Sequence, residues 1–257
     1  MIKYLLPLML ALPVAAQPVR VVTEDFPPFQ NLYNGTIQGP MYSIMRQICK
    51  EAKLQCTFEL LAWKDAYKQA VDGDADVVFS ILLEVPERAD LFYLSPSIVN
   101  TSYSFFVTSR NPWKYGGVST LDGMTIGAYG PSGTSIVAEE VVAKRAAMGF
   151  KPTPLIIEPS IVLSYQNLIT GKYGANGAVV VNKEVGYALL KKHSIIGPKE
   201  AGEIKKITYG FGVSRKAKNP AMKPTEIYER MTGALERLQK RGEVLDTLRF
   251  YGLKATQ

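Results

Sequence analysis

The sequence predicts an α/β protein of two similar lobes joined by a two-strand hinge, with the ligand cleft between them. Three observations predict it. The order strand, helix, strand, helix ending in Gly, strand is written twice. Each unit closes on a short apolar run, Asp76–Ser80 and Gly177–Asn182, of the kind buried on both faces of a parallel sheet. Two extended segments, Ser102–Thr108 and Lys206–Ser214, are placed to cross between the units. Two lobes with two crossovers have their default ligand site in the cleft.

The elements follow in order. Val19–Thr23 reads as a strand, and Pro40–Ala52 as a helix with Tyr42, Met45 and Ile48 on one face. Thr57–Leu61 alternates as a strand, Trp63–Asp72 is an amphipathic helix ended by Gly73, and Asp76–Ser80 completes a βαβαβ opening. The second unit starts with the strand Met124–Ala128, the tight turn Gly130–Gly133 and the helix Thr134–Met148. Pro154–Ile157 is a strand, Ile161–Thr170 a helix ended by Gly171, and Gly177–Asn182 the second buried strand. Two further helices, Pro224–Arg241 and Gly242–Tyr251, return the chain to the first lobe. The expected division is residues 17–107 with 213–257 in lobe 1, and residues 108–212 in lobe 2.

Composition narrows the function classes. A chain of 257 residues suits one large domain or two smaller ones, each able to bury a core. Ten Phe, fourteen Tyr and two Trp carry too much apolar surface for a disordered chain. The one stretch of membrane character is N-terminal: Met1-Ile2-Lys3, apolar Tyr4–Val14, then Ala15-Ala16. It is too short to span a bilayer and reads as a secretory signal peptide, residues 1–16, cut after Ala16. The alternative is a buried first strand or helix. The net charge of +7 comes from Lys and Arg spread through the chain with no nucleic-acid motif, so no nucleic-acid partner is expected.

Cys49, near the end of a helix, and Cys56, at the start of the next strand, are the only cysteines. In a secreted chain they invite a disulfide; the alternative is two buried free thiols. With His193 the single histidine, no metal site is expected, and no cofactor.

The chain resembles the periplasmic solute-binding proteins of the type II class, in particular the polar amino-acid receptor branch of ABC importers. The resemblance rests on Val21-Val22-Thr23 with Phe26-Pro27-Pro28-Phe29, on Gly35 to Gly39, on Trp63 heading a helix that ends in Asp72-Gly73, and on Ala75-Asp76-Val77. The most specific piece is Pro86–Asp90 leading to Phe92–Pro96, and the Cys49 to Cys56 spacing is similar to a disulfide in some members. The resemblance covers essentially the whole mature chain. It implies periplasmic capture of a small-molecule ligand by lobe closure, delivery to an inner-membrane ABC permease, and a monomer.

For the site, Arg88 follows a buried strand and a loop, so its guanidinium can form a bidentate pair with a carboxylate; in the family the matching Arg holds the ligand's α-carboxylate. Its bland alternative is a surface pair with Glu87 or Asp90. Phe26 and Trp63 are implied to sandwich the ligand, or are plain core. The turn Tyr129–Thr134 leads into a helix N-terminus, where free N–H groups and the hydroxyls of Ser132 and Thr134 favour an anion, while Tyr129 packs on the ligand; the alternative is a capped helix with no ligand. Ser80 remains as a further polar contact. Where amino-acid receptors carry an Asp for the ligand ammonium, this chain has Asn182, and Ile81–Leu83 replace small hydroxyl residues. Glu24, Asp25 or Glu84 would take over the ammonium if one faced the cleft.

Capture without chemistry is the expected function, and the chain is not expected to be an enzyme. One alternative is an enzyme resembling the periplasmic cyclohexadienyl dehydratases, with Glu24, Glu84 or Glu184 as general acid. The other is a stand-alone sensory receptor.

Overall fold

The computed structural model describes residues 17–253. The signal-peptide reading of residues 1–16 lies outside the described residues. Eleven strands and eight helices follow in order: β1 (Val19–Thr23), β2 (Asn31–Tyr33), β3 (Thr36–Gln38), α1 (Pro40–Glu51), β4 (Cys56–Leu60), α2 (Trp63–Asp72), β5 (Val77–Leu82), α3 (Arg88–Leu91), β6 (Phe92–Leu94) and β7 (Val99–Thr108). Then come β8 (Thr125–Tyr129), α4 (Gly133–Ala147), β9 (Leu155–Glu158), α5 (Ile161–Ile169), β10 (Gly177–Asn182), α6 (Lys183–Lys192), β11 (Pro198–Ser214), α7 (Pro224–Lys240) and α8 (Glu243–Phe250).

One nine-stranded sheet runs β4-β1-β5-β11-β7-β10-β8-β9, with β6 paired to β11. Its two ends are near copies of each other. In the first lobe β1 lies parallel between β4 and β5, and in the second β8 lies parallel between β9 and β10. The long strands β7 and β11 join these parallel triplets, antiparallel to each other and to β5 and β10. As expected for strands covered on both faces, every residue of β5 and β10 is buried. The helices α1, α7 and α8 pack together on the first lobe.

Local chemistry sets the boundaries. Pro40 starts α1, where its missing N–H costs nothing. Gly73 ends α2 at φ 80, and a Cβ there would stand within 1.8 Å of the Lys216 carbonyl oxygen, so only glycine lets the chains approach. Cys49 and Cys56 form a disulfide with Cα atoms 6.2 Å apart, tying α1 to β4.

The structure adds elements that the sequence pattern hid. The hairpin β2–β3 is short and exposed, and α3 is a single turn. Helix α6 directly follows β10, with no loop to announce it. Strand β11 begins at Pro198 rather than Lys206, because Lys199, Glu200, Glu203 and Lys205 mask its first half. That half needs no continuous apolar pattern, since it pairs with β7 as a ribbon on which charged side chains stay partly in water.

Candidate functional site: a cavity between the lobes

A small cavity lies where the C-terminal ends of β1, β5 and β8 meet the two long strands. The first lobe contributes Glu24, Phe26, Trp63, Ser80, Leu82 and Arg88; the long strands contribute Tyr103 and Tyr209; the second lobe contributes Tyr129, Ser132, Gly133 and Thr134.

Arg88 opens α3 and is 4% exposed. One guanidinium nitrogen donates to the Leu82 carbonyl at 2.6 Å, and the group packs over the Tyr67 ring, 5.5 Å from its centre. Neither Glu87 nor Asp90 pairs with it, and no carboxylate among the described residues does. Burial lowers its affinity for a proton, opposed by Tyr67, yet an arginine stays charged in a protein. A buried cation lacking an anion presents most of its donors to whatever enters the cavity.

Ser80 is held in an unusual way. Its φ is 57°, in the left-handed region, because the pairing of β5 with β11 slips between Gly210 and Phe211 and leaves Ser80 without a partner. The bulge turns its hydroxyl toward the cavity, where it donates to Gln30 Oε1 at 2.7 Å. Gln30 in turn donates to Thr23 Oγ1 at 3.1 Å and to the Glu24 carbonyl at 3.2 Å. This buried chain fixes the loop that carries Glu24 and Phe26. Phe26 and Trp63 are both core and cavity wall: Phe26 meets Tyr209 edge-on at 5.7 Å, and Trp63 packs on Tyr67 at 5.7 Å.

On the second lobe, the Ser132 hydroxyl is occupied. It donates to the Tyr129 carbonyl at 2.7 Å and accepts from the Thr134 amide at 3.1 Å, capping α4. Ser132, Gly133 and Thr134 of this turn all line the cavity.

Tyr103 and Tyr209 share a hydrogen bond at 3.0 Å, and burial raises both phenols above their ordinary values. Burial also raises Tyr129, with repulsion from Glu24 adding to it. All three therefore keep their protons and can donate. The Tyr129 hydroxyl reaches the Glu24 carboxyl at 3.4 Å across the cleft. Glu24 keeps part of its surface accessible, but atoms of both lobes crowd its carboxyl. That burial pushes it up to about 8; the Tyr129 hydrogen bond opposes the rise and neighbouring Asp25 adds to it.

Asn182 is not in the cavity. It is fully buried, its Oδ1 accepting from the Val185 amide at 3.2 Å and its Nδ2 donating to Thr101 Oγ1 at 3.1 Å. The position expected to meet a ligand is spent on capping α6. Asp25 instead pairs with Lys192, and Glu84 accepts from the Thr208 amide at 2.7 Å. Sequence reasoning missed Leu82, Tyr103 and Tyr209, although the two tyrosines sit in the very segments read as the hinge.

With this geometry in place, residues 19–253 match the model of a single family, the bacterial extracellular solute-binding proteins, family 3. The chain belongs to this family. No curated protein matches it closely enough to compare. Among solved structures, this solute-binding protein is similar to a histidine kinase sensor domain with similarity to periplasmic binding proteins, at 18% identity and TM-score 0.76 over 92% of this chain and 96% of that one. It is also similar to the arginine-, lysine-, histidine-binding protein ArtJ from Geobacillus stearothermophilus, at 18% identity and TM-score 0.75 over 94% and 97%. A third is the ancestral amino acid-binding protein AncCDT-1, a precursor of cyclohexadienyl dehydratase, at 16% identity and TM-score 0.70 over 91% and 94%. These likenesses give the fold, that of the type II periplasmic binding proteins.

Proposed function

We propose that this solute-binding protein captures a small polar solute, an amino acid or related carboxylate, by closing its two lobes, and delivers it in the periplasm to an inner-membrane ABC permease. The buried Arg88 guanidinium, with one carbonyl partner and no anion, carries the reading. A ligand carboxylate supplies the missing charge, Phe26 and Trp63 flank its apolar part, and Ser80, Tyr129, Ser132 and Thr134 shape the polar wall. Closure uses residues 17–107 with 213–257 as one lobe and 108–212 as the other, the ligand touching both only when they are together. The working form is a monomer whose signal peptide is removed after Ala16.

A thermal-shift panel of amino acids, opines, polyamines and dicarboxylates tests this. A ligand at a thousandfold excess over its dissociation constant stabilises by about 4 kcal/mol, or roughly 8 to 16 °C for a chain of this size. Loss of that shift in Arg88→Ala supports the reading; an unchanged shift sinks it.

A second reading has one observation behind it. The Glu24 carboxyl lines the cavity beside the Tyr129 hydroxyl, and burial pushes it up to about 8, the range that suits a general acid for a dehydration. Conversion of a cyclohexadienyl carboxylate, lost in Glu24→Gln, would establish an enzyme; recovery of the compound unchanged leaves a binder.

A further inference from the structure

Tyr103 and Tyr209 line the cavity from the two long strands, and their hydroxyls meet there at 3.0 Å. Their backbones are not neighbours. Along the β7–β11 ladder Tyr209 stands opposite Val99 and Tyr103 opposite Lys205, four steps apart, or about 13 Å at the usual rise of a strand. Only the length of the two side chains, leaning toward each other on the cavity face, closes that distance.

The rows between them decide what this bond spans. Tyr209 pairs with Leu82 of β5, the last tie of β11 to the first parallel triplet, and Tyr103 pairs with Asn182 of β10, the last tie of β7 to the second. Asn100, Thr101 and Ser102 face only Thr208, Ile207 and Lys206, so here the sheet is two strands wide. A bend at this narrow link disturbs the fewest ladder bonds, and hinges of this kind need only a few residues.

Each ring is anchored to its own side. Tyr209 packs on Phe26 and Phe29, 5.7 Å from each ring centre, in the loop that follows β1. The Tyr103 hydroxyl lies so close to Gly133, at the start of α4, that a Cβ there would stand 2.7 Å from it. The phenols therefore travel with opposite triplets, and a bend that opens the cleft lengthens the side on which they meet. Their bond spends one of the two phenol hydrogens and leaves the other for the cavity or for the Thr134 hydroxyl beside Tyr103.

Resting on the lobe closure proposed above, we infer that the Tyr103–Tyr209 bond is a clasp on the concave side of the bend, which forms as the lobes meet, breaks as they part, and favours the closed form even before a ligand binds. Both are positioning residues for capture. They set how often the lobes close and how long they stay closed over a ligand. A buried neutral hydrogen bond of ordinary net strength shifts such an equilibrium about 3- to 10-fold.

A spin label on Ala143→Cys tests the clasp in the empty mature protein. Ala143 is exposed on α4, and the two native cysteines are bonded to each other, so the added thiol is labelled alone. Paramagnetic broadening of the backbone amides of α2 reports the closed population, since α2 and α4 face each other across a groove beside the cavity. Tyr103→Phe and Tyr209→Phe are each expected to cut that broadening about 3- to 10-fold. The double variant should cut it no further, because either change alone removes the same bond. With L-arginine or L-glutamine bound, each single variant should also release the amino acid about 3- to 10-fold faster at an unchanged association rate, read by stopped-flow tryptophan fluorescence, Trp63 lying in the cavity wall. Broadening that neither variant alters overturns the clasp, as does an unaltered protein with no broadening beyond its diamagnetic control. Effects that multiply in the double variant overturn it too, for each hydroxyl then acts as a separate contact. Failure of both amino acids to bind counts against the amino-acid reading, while the empty-protein comparison still decides the clasp.

Discussion

Lys192, at the end of α6, reaches across the cleft to Asp25 and pairs with it at 2.9 Å, one residue from the cavity-lining Glu24. Two adjacent acids thus face different tasks. Asp25 pairs outside the cavity with a residue of the second lobe, while the carboxyl of Glu24 forms no ion pair among the described residues.

Both partners of that pair are more than 40% exposed, so it contributes at most about 1 kcal/mol and salt screens it. Lys192→Ala should leave the melting temperature nearly unchanged. It should speed release of a bound amino acid about two- to fivefold at low salt, with the difference vanishing in 0.5 M salt. Stopped-flow release at the two ionic strengths is the check; an effect that ignores salt contradicts a latch.

The ligand-free protein should lose stability as pH rises from about 5 toward 8. Glu24 holds its proton more tightly folded than unfolded, so the folded chain binds the extra proton throughout that interval, and stability is full below the ordinary carboxylate value. Glu158 and Glu200 act oppositely and elsewhere. Hydrogen bonds from Tyr173 and Asn167 to Glu158, and from Ser104 and Lys183 to Glu200, outweigh burial and lower both, so their contribution is lost as pH falls below that value. A melting-temperature series at pH 5 to 8.5 should slope downward, and Glu24→Gln should flatten it.

Ser80 should tolerate glycine better than a β-branched residue, against the usual preference of a strand. At φ 57° a branched side chain is strained, whereas glycine relieves the strain and gives up only the bond to Gln30. Ser80→Gly is expected within about 1 kcal/mol of the parent, while Ser80→Val should cost about 2 to 3 kcal/mol. Urea unfolding separates the two.

Breaking the disulfide should destabilise only modestly, because the loop it closes is short. Chain entropy gives about 2 kcal/mol for Cys49→Ala with Cys56→Ala, or a fall of roughly 4 to 8 °C. A fall above 15 °C would mean that the bridge also organises the packing of α1 on β4.

How much of this was legible in the sequence depended on whether a residue's task was set locally. The bounds of α2 and β10 read directly from periodicity, a terminal Gly73 and an apolar run. Arg88 and Tyr129 read from their positions at the ends of such elements, Phe26 and Trp63 from the family resemblance, and Glu24 as one of three candidate acids; all five line the cavity. Asn182 reads from the resemblance as a ligand contact, and the course of α6, which no sequence pattern announces, makes it a helix cap instead. The orientation of Ser80 is set by a slip in pairing with a strand about 130 positions away, which no local pattern records. Tyr103 and Tyr209 lie in segments that read only as extended crossovers between the lobes; their hydroxyls meet only once β7 and β11 are paired.

Gly133 gives the sharpest test of that tertiary layer. It occupies the first position of α4, where alanine would ordinarily favour the helix. Here a Cβ would stand 2.7 Å from the Tyr103 hydroxyl, which its bond to Tyr209 holds in place. Gly133→Ala should therefore destabilise by about 1 to 3 kcal/mol, as overpacking does, and weaken ligand binding by displacing Tyr103 from the cavity wall. Tyr103→Phe removes the obstructing oxygen, so the double variant should be more stable than the two single losses add up to. Simple additivity in chemical unfolding would mean that the two residues do not meet in this way, and that the cavity wall between the long strands and α4 is looser than its geometry indicates.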